Sequence, residues 1–173
     1  MTSLRWKEWE TGSAFRAHFE ASQERALVVG EAAESPRRFY SCVVESGRGS
    51  TEVGVISSDL GAAPAAVALD QGRVLVVGHD TWLTWVNLDR RACERARRLG
   101  GVFFEFIPVS DDEVVVLHEL GVIRIDSKGG SAWNVDTDVI EDYRVDAFGD
   151  LILSIMDTDS RVVVGIESGK ARR

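Results

Sequence analysis

The sequence has few of the features that mark secreted, membrane-spanning or nucleic-acid-binding proteins. Only two cysteines, Cys42 and Cys93, occur among 173 residues, which excludes a disulfide framework and fits a reducing compartment. No apolar run approaches the roughly 18 residues that cross a bilayer, and residues 1–8 lack the apolar segment of a secretory signal. The net charge of −8 argues against nucleic acid, because duplex binders need an excess of Lys and Arg. We therefore expect a cytoplasmic protein with neither a membrane nor a nucleic acid as partner.

Recognisable catalytic motifs are also missing. The sequence contains no Gly-x-Ser-x-Gly elbow, no phosphate loop ending in Gly-Lys-Ser/Thr and no dinucleotide fingerprint. It therefore nominates no catalytic residue, and nothing in it supplies a cofactor site. The composition, with 45% apolar and 28% charged residues, is that of an ordinary globular chain, and the length suits one domain covering residues 1–173.

What the sequence does contain is repetition. Residues 25–30 read Arg-Ala-Leu-Val-Val-Gly and return at 73–78 as Arg-Val-Leu-Val-Val-Gly, and similar aliphatic runs follow at 113–117 and 151–155. Each run is short, rich in β-branched residues and bounded by Gly, Asp or Ser, which is typical of strands and turns. Self-similarity at intervals of about 40 residues indicates a repeat architecture. Four units of four short strands, a size typical of propeller blades, are predicted at about 13–58, 62–101, 103–138 and 142–173.

The predicted fold is therefore all-β, with repeated four-stranded antiparallel units arranged like a small propeller of about four blades. A β-sandwich or an open β-meander is the alternative. The fourth unit lacks a recognisable last strand, and residues 3–10, which carry Trp6 and Trp9, are predicted to supply it and close the ring. The first unit is expected to begin with a strand at 15–19, which would place His18 in a strand.

One stretch resembles a known repeat. Residues 121–133 read Gly-Val-Ile-Arg-Ile-Asp-Ser-Lys-Gly-Gly-Ser-Ala-Trp, an apolar strand followed by Asp, a Gly turn and Trp133. This pattern is similar to the blade repeat of pyrroloquinoline-quinone-like and WD-like β-propellers, and residues 162–169 match its first half. The resemblance implies propeller blades and does not imply a quinone site.

Residues 89–99 interrupt the strand pattern. Ala92, Cys93, Ala96 and Leu99 recur at spacings of three and four, which predicts a short helix with Asp89 as its N-cap. The alternation of Cys93, Arg95 and Arg97 also suits an edge strand. We favour the helix, because Ala, Arg, Glu and Leu form helices readily.

The turns that follow the second strand of each unit are the candidate chemical site. In a closed ring these turns share one face, where His79, Asp80, His118 and Glu119 could hold Zn²⁺ or another divalent metal, with Glu31 and Asp157 nearby. A metal-bound water would support hydrolysis. The alternative is that these turns are polar only because they face water.

Trp82 and Trp85 lie three residues apart, so a strand would point them to opposite sides. One should pack between sheets, and the other should be partly exposed and available to a partner. Our leading hypothesis is a non-enzymatic protein-binding module, an adaptor or immunity-like protein, that recognises a basic partner through an acidic, turn-lined face including Glu31, Asp157 and Trp82. The alternatives are a metal-dependent hydrolase and a structural subunit of a homo-oligomer.

Overall fold

The protein is built almost entirely of β-strands. The computed structural model describes residues 2–21, 27–30, 37–47, 49–58 and 61–172. In chain order the elements are β1 (Ser3–Trp9), α1 (Gly12–Ala21), β2 (Leu27–Val29), β3 (Arg37–Ser46), β4 (Gly49–Ser58), β5 (Ala65–Leu69), a 3₁₀ turn (Asp70–Gly72), β6 (Val74–His79), β7 (Trp82–Asn87), β8 (Ala92–Arg98), β9 (Phe103–Pro108), β10 (Glu113–His118), β11 (Gly121–Asp126), β12 (Ser131–Asp136), β13 (Ile140–Val145), β14 (Asp150–Ile155), β15 (Arg161–Gly165) and β16 (Ala171–Arg172). Within these ranges no helix is long and apolar enough to cross a membrane.

The strands form four sheets of four strands each, which confirms the predicted all-β repeat. The second, third and fourth sheets are antiparallel meanders of consecutive strands, β5 to β8, β9 to β12 and β13 to β16. The first sheet has the order β1-β3-β4-β2, and its strand β2 runs parallel to β4.

Three apolar clusters hold neighbouring sheets face to face. The first and second sheets share a cluster that includes Cys42 and Leu75, and the third and fourth share one that includes Leu117 and Leu153. Between them, the second and third sheets meet around Trp85. None of these clusters of described residues joins the fourth sheet to the first. The described core is therefore a row of four sheets, and closure into a ring stays a prediction.

Strands in the two inner sheets are buried on both faces. In β6, Val74 and Val76 belong to the cluster shared with the third sheet, whereas Leu75 and Val77 belong to the cluster shared with the first. Side chains alternate between the faces of a strand, so a strand covered on both sides needs apolar residues at every position. This explains why the repeat first appears in the sequence as continuous aliphatic runs.

The segment predicted as the opening strand of the first unit is instead α1, so His18 lies on a helix. The prediction of a strand at 15–19 was wrong. Phe15 and Phe19 lie four residues apart, the spacing of one helix face, and both are buried on that face. Thr11 caps the helix, since the Ala14 N–H donates to Thr11 Oγ1 at 3.2 Å. The helix packs on the outer face of the first sheet.

The predicted closing strand pairs elsewhere. Strand β1 forms seven registered pairs with β3, from Ser3 opposite Glu45 to Trp9 opposite Phe39, and so completes the first sheet instead of the fourth. The fourth sheet takes its last strand from β16, whose Ala171 pairs with Val164. The prediction failed because a two-residue strand carries no readable alternation.

Within residues 89–99 the chain forms a turn and then strand β8 (Ala92–Arg98) instead of the favoured helix. In its register with β7, Ala96 lies opposite Thr84 and Cys93 lies opposite Val86, with a bulge between them. The bulge adds one residue to β8. Cys93 and Ala96 are three residues apart and therefore face the same side of β8. In the sequence this spacing resembles that of a helix.

Candidate functional site

A largely apolar pocket lies between the first and second sheets. Its volume is about 570 Å³, within the range of small-molecule and side-chain pockets. Strand β2 and Ser58 line one side, β6 to β8 line the other, and Val102 lies at the rim. The lining residues are Val28, Val29, Gly30, Ser58, His79, Asp80, Thr81, Trp82, Thr84, Cys93, Ala96 and Val102.

Trp82 gives the pocket an exposed aromatic rim. Trp82 opens strand β7 and is 40% exposed, whereas Trp85 is 2% exposed and packs between the second and third sheets. This confirms that the two indoles point to opposite sides. Trp85 donates its indole N–H to the Asp126 carbonyl at 3.1 Å. Trp82 therefore presents a large apolar surface that the described part of the fold does not cover.

A fixed carboxylate forms the polar end of the pocket. Asp80 Oδ1 accepts hydrogen bonds from the hydroxyls of Ser57 (2.8 Å) and Ser58 (2.7 Å) and from the Ser58 N–H (2.9 Å). Burial would raise the pKa of Asp80, but these bonds and one with His79 outweigh it and lower the pKa to about 2. Asp80 is therefore ionised at neutral pH.

The thiols offer no ready nucleophile. Burial raises the pKa of Cys42 to about 12 and also raises the pKa of Cys93 above its ordinary value, and the thiolate is the reactive form of cysteine. Cys42 is fully buried, whereas Cys93 is exposed and lines the pocket. Cys93 is thus a natural reporter of pocket occupancy.

The four predicted metal ligands occupy two equivalent turns. The Phe103 N–H donates to the Asp80 carbonyl at 2.6 Å, and the Ile140 N–H donates to the Glu119 carbonyl at 2.9 Å. The two carboxylates are also equivalent, because each accepts a hydrogen bond from a backbone N–H of the preceding segment. Asp80 accepts from the Ser58 N–H, and Glu119 Oε2 accepts from the Val102 N–H at 3.3 Å. Each turn therefore ties its own sheet to the segment before it and to the first strand of the next sheet.

The two histidines of these turns are buried at equivalent strand ends. His118 Nδ1 accepts a hydrogen bond from the Leu120 N–H at 3.3 Å, and burial is the main cause that lowers the pKa of His118. His79 Nδ1 lies 3.4 Å from Asp80 Oδ2, and its buried Nε2 has no hydrogen-bond partner among the described residues. Nowhere in the described ranges do three or more His, Cys, Asp or Glu side chains gather as a metal-binding group. The described contacts of these four residues are structural bonds, and the metal site stays a prediction.

The residues predicted to bind a partner do not converge. Trp82 lines the pocket, whereas Asp157 lies exposed in the turn between β14 and β15, in the fourth sheet. The third sheet separates the two positions. Glu31 lies outside the described residues. Of the two described members of this set, Trp82 lines the pocket and Asp157 does not.

Sequence reasoning missed most of the pocket walls. Val28, Val29 and Ser58 come from the first sheet and meet the second only in the folded chain, so no local pattern announces them. Ala96 and Cys93 were assigned to a helix, and the bulge that turns them toward the pocket leaves no mark in composition. Trp82, His79 and Asp80 are the lining residues that the sequence had singled out.

The comparisons with known proteins give similarity of low degree. The sequence matches no protein-family profile and no curated protein. The solved structures that resemble the fold include HIRA(644-1017), at 10% identity and a TM-score of 0.46, and a protein of unknown function from Bacteroides caccae, at 13% identity and a TM-score of 0.40. They cover 83% and 86% of this chain, which in turn spans only 46% and 58% of theirs.

Proposed function

We propose that this chain is a non-enzymatic protein-binding module and that the pocket beside Trp82 receives an apolar side chain of the partner. The observation that carries the proposal is the exposed Trp82 at the rim of an apolar pocket of about 570 Å³. Tryptophan is enriched at the energetic centres of protein interfaces, where it packs in a pocket from which water is excluded. A rigid sheet that presents such a rim is well suited to recognition.

Charge favours a partner segment with a basic residue next to its apolar anchor. Asp80 keeps its negative charge at the end of the pocket, and the whole chain carries a net charge of −8. Complementary charge raises the association rate and disfavours wrong partners. Arg98 lies opposite Trp82 across the β7–β8 pair and would limit how many basic residues the segment can place there. Whether the module acts as an adaptor or in an immunity-like role stays a prediction.

A random peptide library displayed on phage, selected on the intact protein, tests the proposal. Peptides that bind the wild type are then titrated against Trp82→Ala, and against Trp6→Ala as the matched control. Trp6 is 37% exposed, close to the 40% of Trp82, but lies on β1. We expect Trp82→Ala to weaken binding by about 30-fold, the effect of losing a central aromatic contact, and Trp6→Ala to leave it unchanged.

Cys93 supplies an independent readout. A bound peptide should protect Cys93 from a maleimide reagent, while Cys42, which is fully buried, stays unreactive in the folded protein whether peptide is present or not. Selected peptides should also contain an apolar residue beside Lys or Arg. Equal binding to wild type and Trp82→Ala, or unprotected Cys93, would contradict the pocket, and enrichment of acidic peptides would contradict the charge argument.

A further inference from the structure

The outer face of the fourth sheet is another surface that the described residues leave uncovered. Alternation along β14 points Leu151, Leu153 and Ile155 into the cluster shared with the third sheet, where all three are buried. The intervening Ile152 and Ser154 point the other way and are partly exposed. A shallow depression of about 200 Å³ lies on this outer side, and Ile152 and Ser154 line it with residues of β13 and β15.

Charged residues surround the aliphatic centre of this face in a definite order. Ser154 lies opposite Asp142 of β13 and opposite Arg161 of β15. One row across the sheet therefore runs from a carboxylate, through a hydroxyl, to a guanidinium. In the described part of the chain neither Asp142 nor Arg161 has an ionic partner.

The neighbouring row is aliphatic at its centre. Ile152 lies opposite Arg144 of β13 and opposite Val163 of β15, and Val163 lies opposite Arg172 of β16. Arg172 is already paired with Asp150, at 2.9 Å. The centre of the face is therefore small and apolar. Asp142 and Arg144 of β13 lie on one side of β14 and Arg161 of β15 lies on the other, so the row through Ser154 carries opposite charges at its two ends.

We propose that this face is covered by the same face of a second copy of the chain. A two-fold axis parallel to β14 and in front of it places β14 over β14, and β13 of each copy over β15 of the other. Asp142 then faces Arg161 of the second copy, and the symmetry repeats this ion pair. Ile152 meets its own equivalent at the centre, as isologous contacts require. Two sheets that pack in this way form an aligned sandwich.

The size of the face sets the strength of the contact. Four strands spaced about 4.8 Å apart and about five residues long cover a patch of roughly 19 by 17 Å. Two such faces together cover roughly 650 Å², below the ~1,000 Å² expected of a stable specific interface and in the range of weak contacts. The dimer is accordingly a reversible one that dissociates on dilution.

Analytical ultracentrifugation of the intact chain tests the proposal. Sedimentation equilibrium is run over protein concentrations of about 1 to 500 µM, at low and at high salt. We expect the apparent mass to rise with concentration from that of the 19.0 kDa monomer toward twice this value. High salt should weaken the dimer, because its two ion pairs are partly screened.

Charge reversal identifies the face. Asp142→Arg and Arg161→Asp each place like charges opposite one another twice, and each should raise the dissociation constant by about tenfold or more. Combining the two restores opposite charges, so the double variant should dimerise within about threefold of the wild type. The matched control reverses Arg5 and Glu45, an exposed ion pair within the first sheet, and should change nothing.

Three results would overturn the proposal: a wild-type mass that stays monomeric to the highest concentration, single reversals without effect, or a double variant that is no better than the singles. Circular dichroism and thermal unfolding of each variant establish that it is folded. Since all the substituted residues lie on exposed positions, their fold is expected to be intact. The result does not depend on the Trp82 pocket, so the two proposals fail or succeed separately.

Discussion

The first and fourth sheets both end the row, but among the described residues only the first sheet has its outer face covered by another element of the chain. Phe15 and Phe19 of α1 lie over Gly54 in the middle of the first sheet, where an added Cβ would come within 2.8 and 2.9 Å of their rings. The corresponding face of the fourth sheet presents Ile152 and Ser154, which remain partly exposed. The outer face of the first sheet is therefore covered by aromatic side chains, whereas the outer face of the fourth sheet has a mixed, charged surface.

The difference shows how each end is stabilised. At the first end, burial of two phenylalanines against a glycine and Phe39, whose ring lies 5.3 Å from that of Phe15, supplies the free energy. At the fourth end, the inner face alone is apolar. Arg124 of the third sheet pairs with Glu113 of the same sheet at 2.7 Å and reaches Glu167, which follows β15 of the fourth sheet, at 3.1 Å. Removing the aromatic cover should therefore be costly, whereas changes on the outer face of the fourth sheet should be tolerated.

The largest expected effect follows from removing the cover. Phe15→Ala deletes a side chain that is 2% exposed, and it should lower the free energy of unfolding by about 3 to 4 kcal/mol. Urea unfolding followed by circular dichroism measures the change, with Arg16→Ala, which lies on the exposed side of the same helix, as the control. A loss below about 1 kcal/mol would show that α1 is not a structural cover.

The sequence predicted the strands of the two inner sheets more accurately than the elements of the first and fourth sheets. Strand β6 is buried on both faces, so its aliphatic run was unmistakable, and the opposite orientations of Trp82 and Trp85 followed from strand geometry alone. The run at 151–155, Leu-Ile-Leu-Ser-Ile, resembles the runs of the inner sheets apart from Ser154, although only one face of its strand is buried. What it could not show is which other element, if any, covers the second face.

The errors arose where a short segment fits two periodicities. Phe15 and Phe19 suit a helix by their spacing of four, yet the expectation of a regular repeat favoured a strand. In β8, a bulge gave Cys93 and Ala96 a helical spacing. The pocket itself depends on Ser58 and Val102 meeting Asp80 across sheets, and such long-range contacts leave no local pattern.

A second prediction tests the hydrogen bonds that join Asp80 of the second sheet to Ser57 and Ser58 of the first sheet. Asp80 has a pKa of about 2 in the folded protein, below the ordinary value of about 3.9, so its contribution is complete above about pH 4 and is lost as the pH falls toward 2. The shift corresponds to about 2 kcal/mol at neutral pH. Asp80→Asn should therefore be less stable than wild type by about this amount at pH 7.

The pH dependence separates this electrostatic contribution from a loss of packing. In urea unfolding between pH 2 and pH 6, the difference between Asp80→Asn and wild type should narrow steadily below about pH 4. Asp157→Asn, at the equivalent turn of the fourth sheet but exposed, is the control and should show no such trend. A difference that is constant with pH would contradict the assignment.

A third prediction compares one glycine from each end sheet. Gly54→Ala places a methyl group against Phe15 and Phe19, so α1 must shift, and the expected loss is about 1 to 2 kcal/mol. Gly165→Ala in β15 meets the Ser168 hydroxyl at 2.8 Å, a small group at the surface, and should cost less than about 0.5 kcal/mol. Thermal unfolding of the pair measures the contrast, and equal losses would remove the distinction between the two ends.

The smallest effect concerns the polar attachment of α1. His18 Nε2 lies 2.7 Å from Glu52 Oε2 on β4, with both side chains partly exposed. Burial would raise the pKa of Glu52, but hydrogen bonds from His18 and Ser41 and the charges of His18 and Lys7 lower it. Stability from this group is therefore present above the ordinary glutamate pKa and is lost as the pH falls below it.

Because the pair is solvated, His18→Ala should cost only about 0.5 kcal/mol at neutral pH. Glu52→Gln alone and combined with His18→Ala completes a double-mutant cycle by urea unfolding, and a coupling of zero would mean that the aromatic contacts of Phe15 and Phe19 hold the helix unaided.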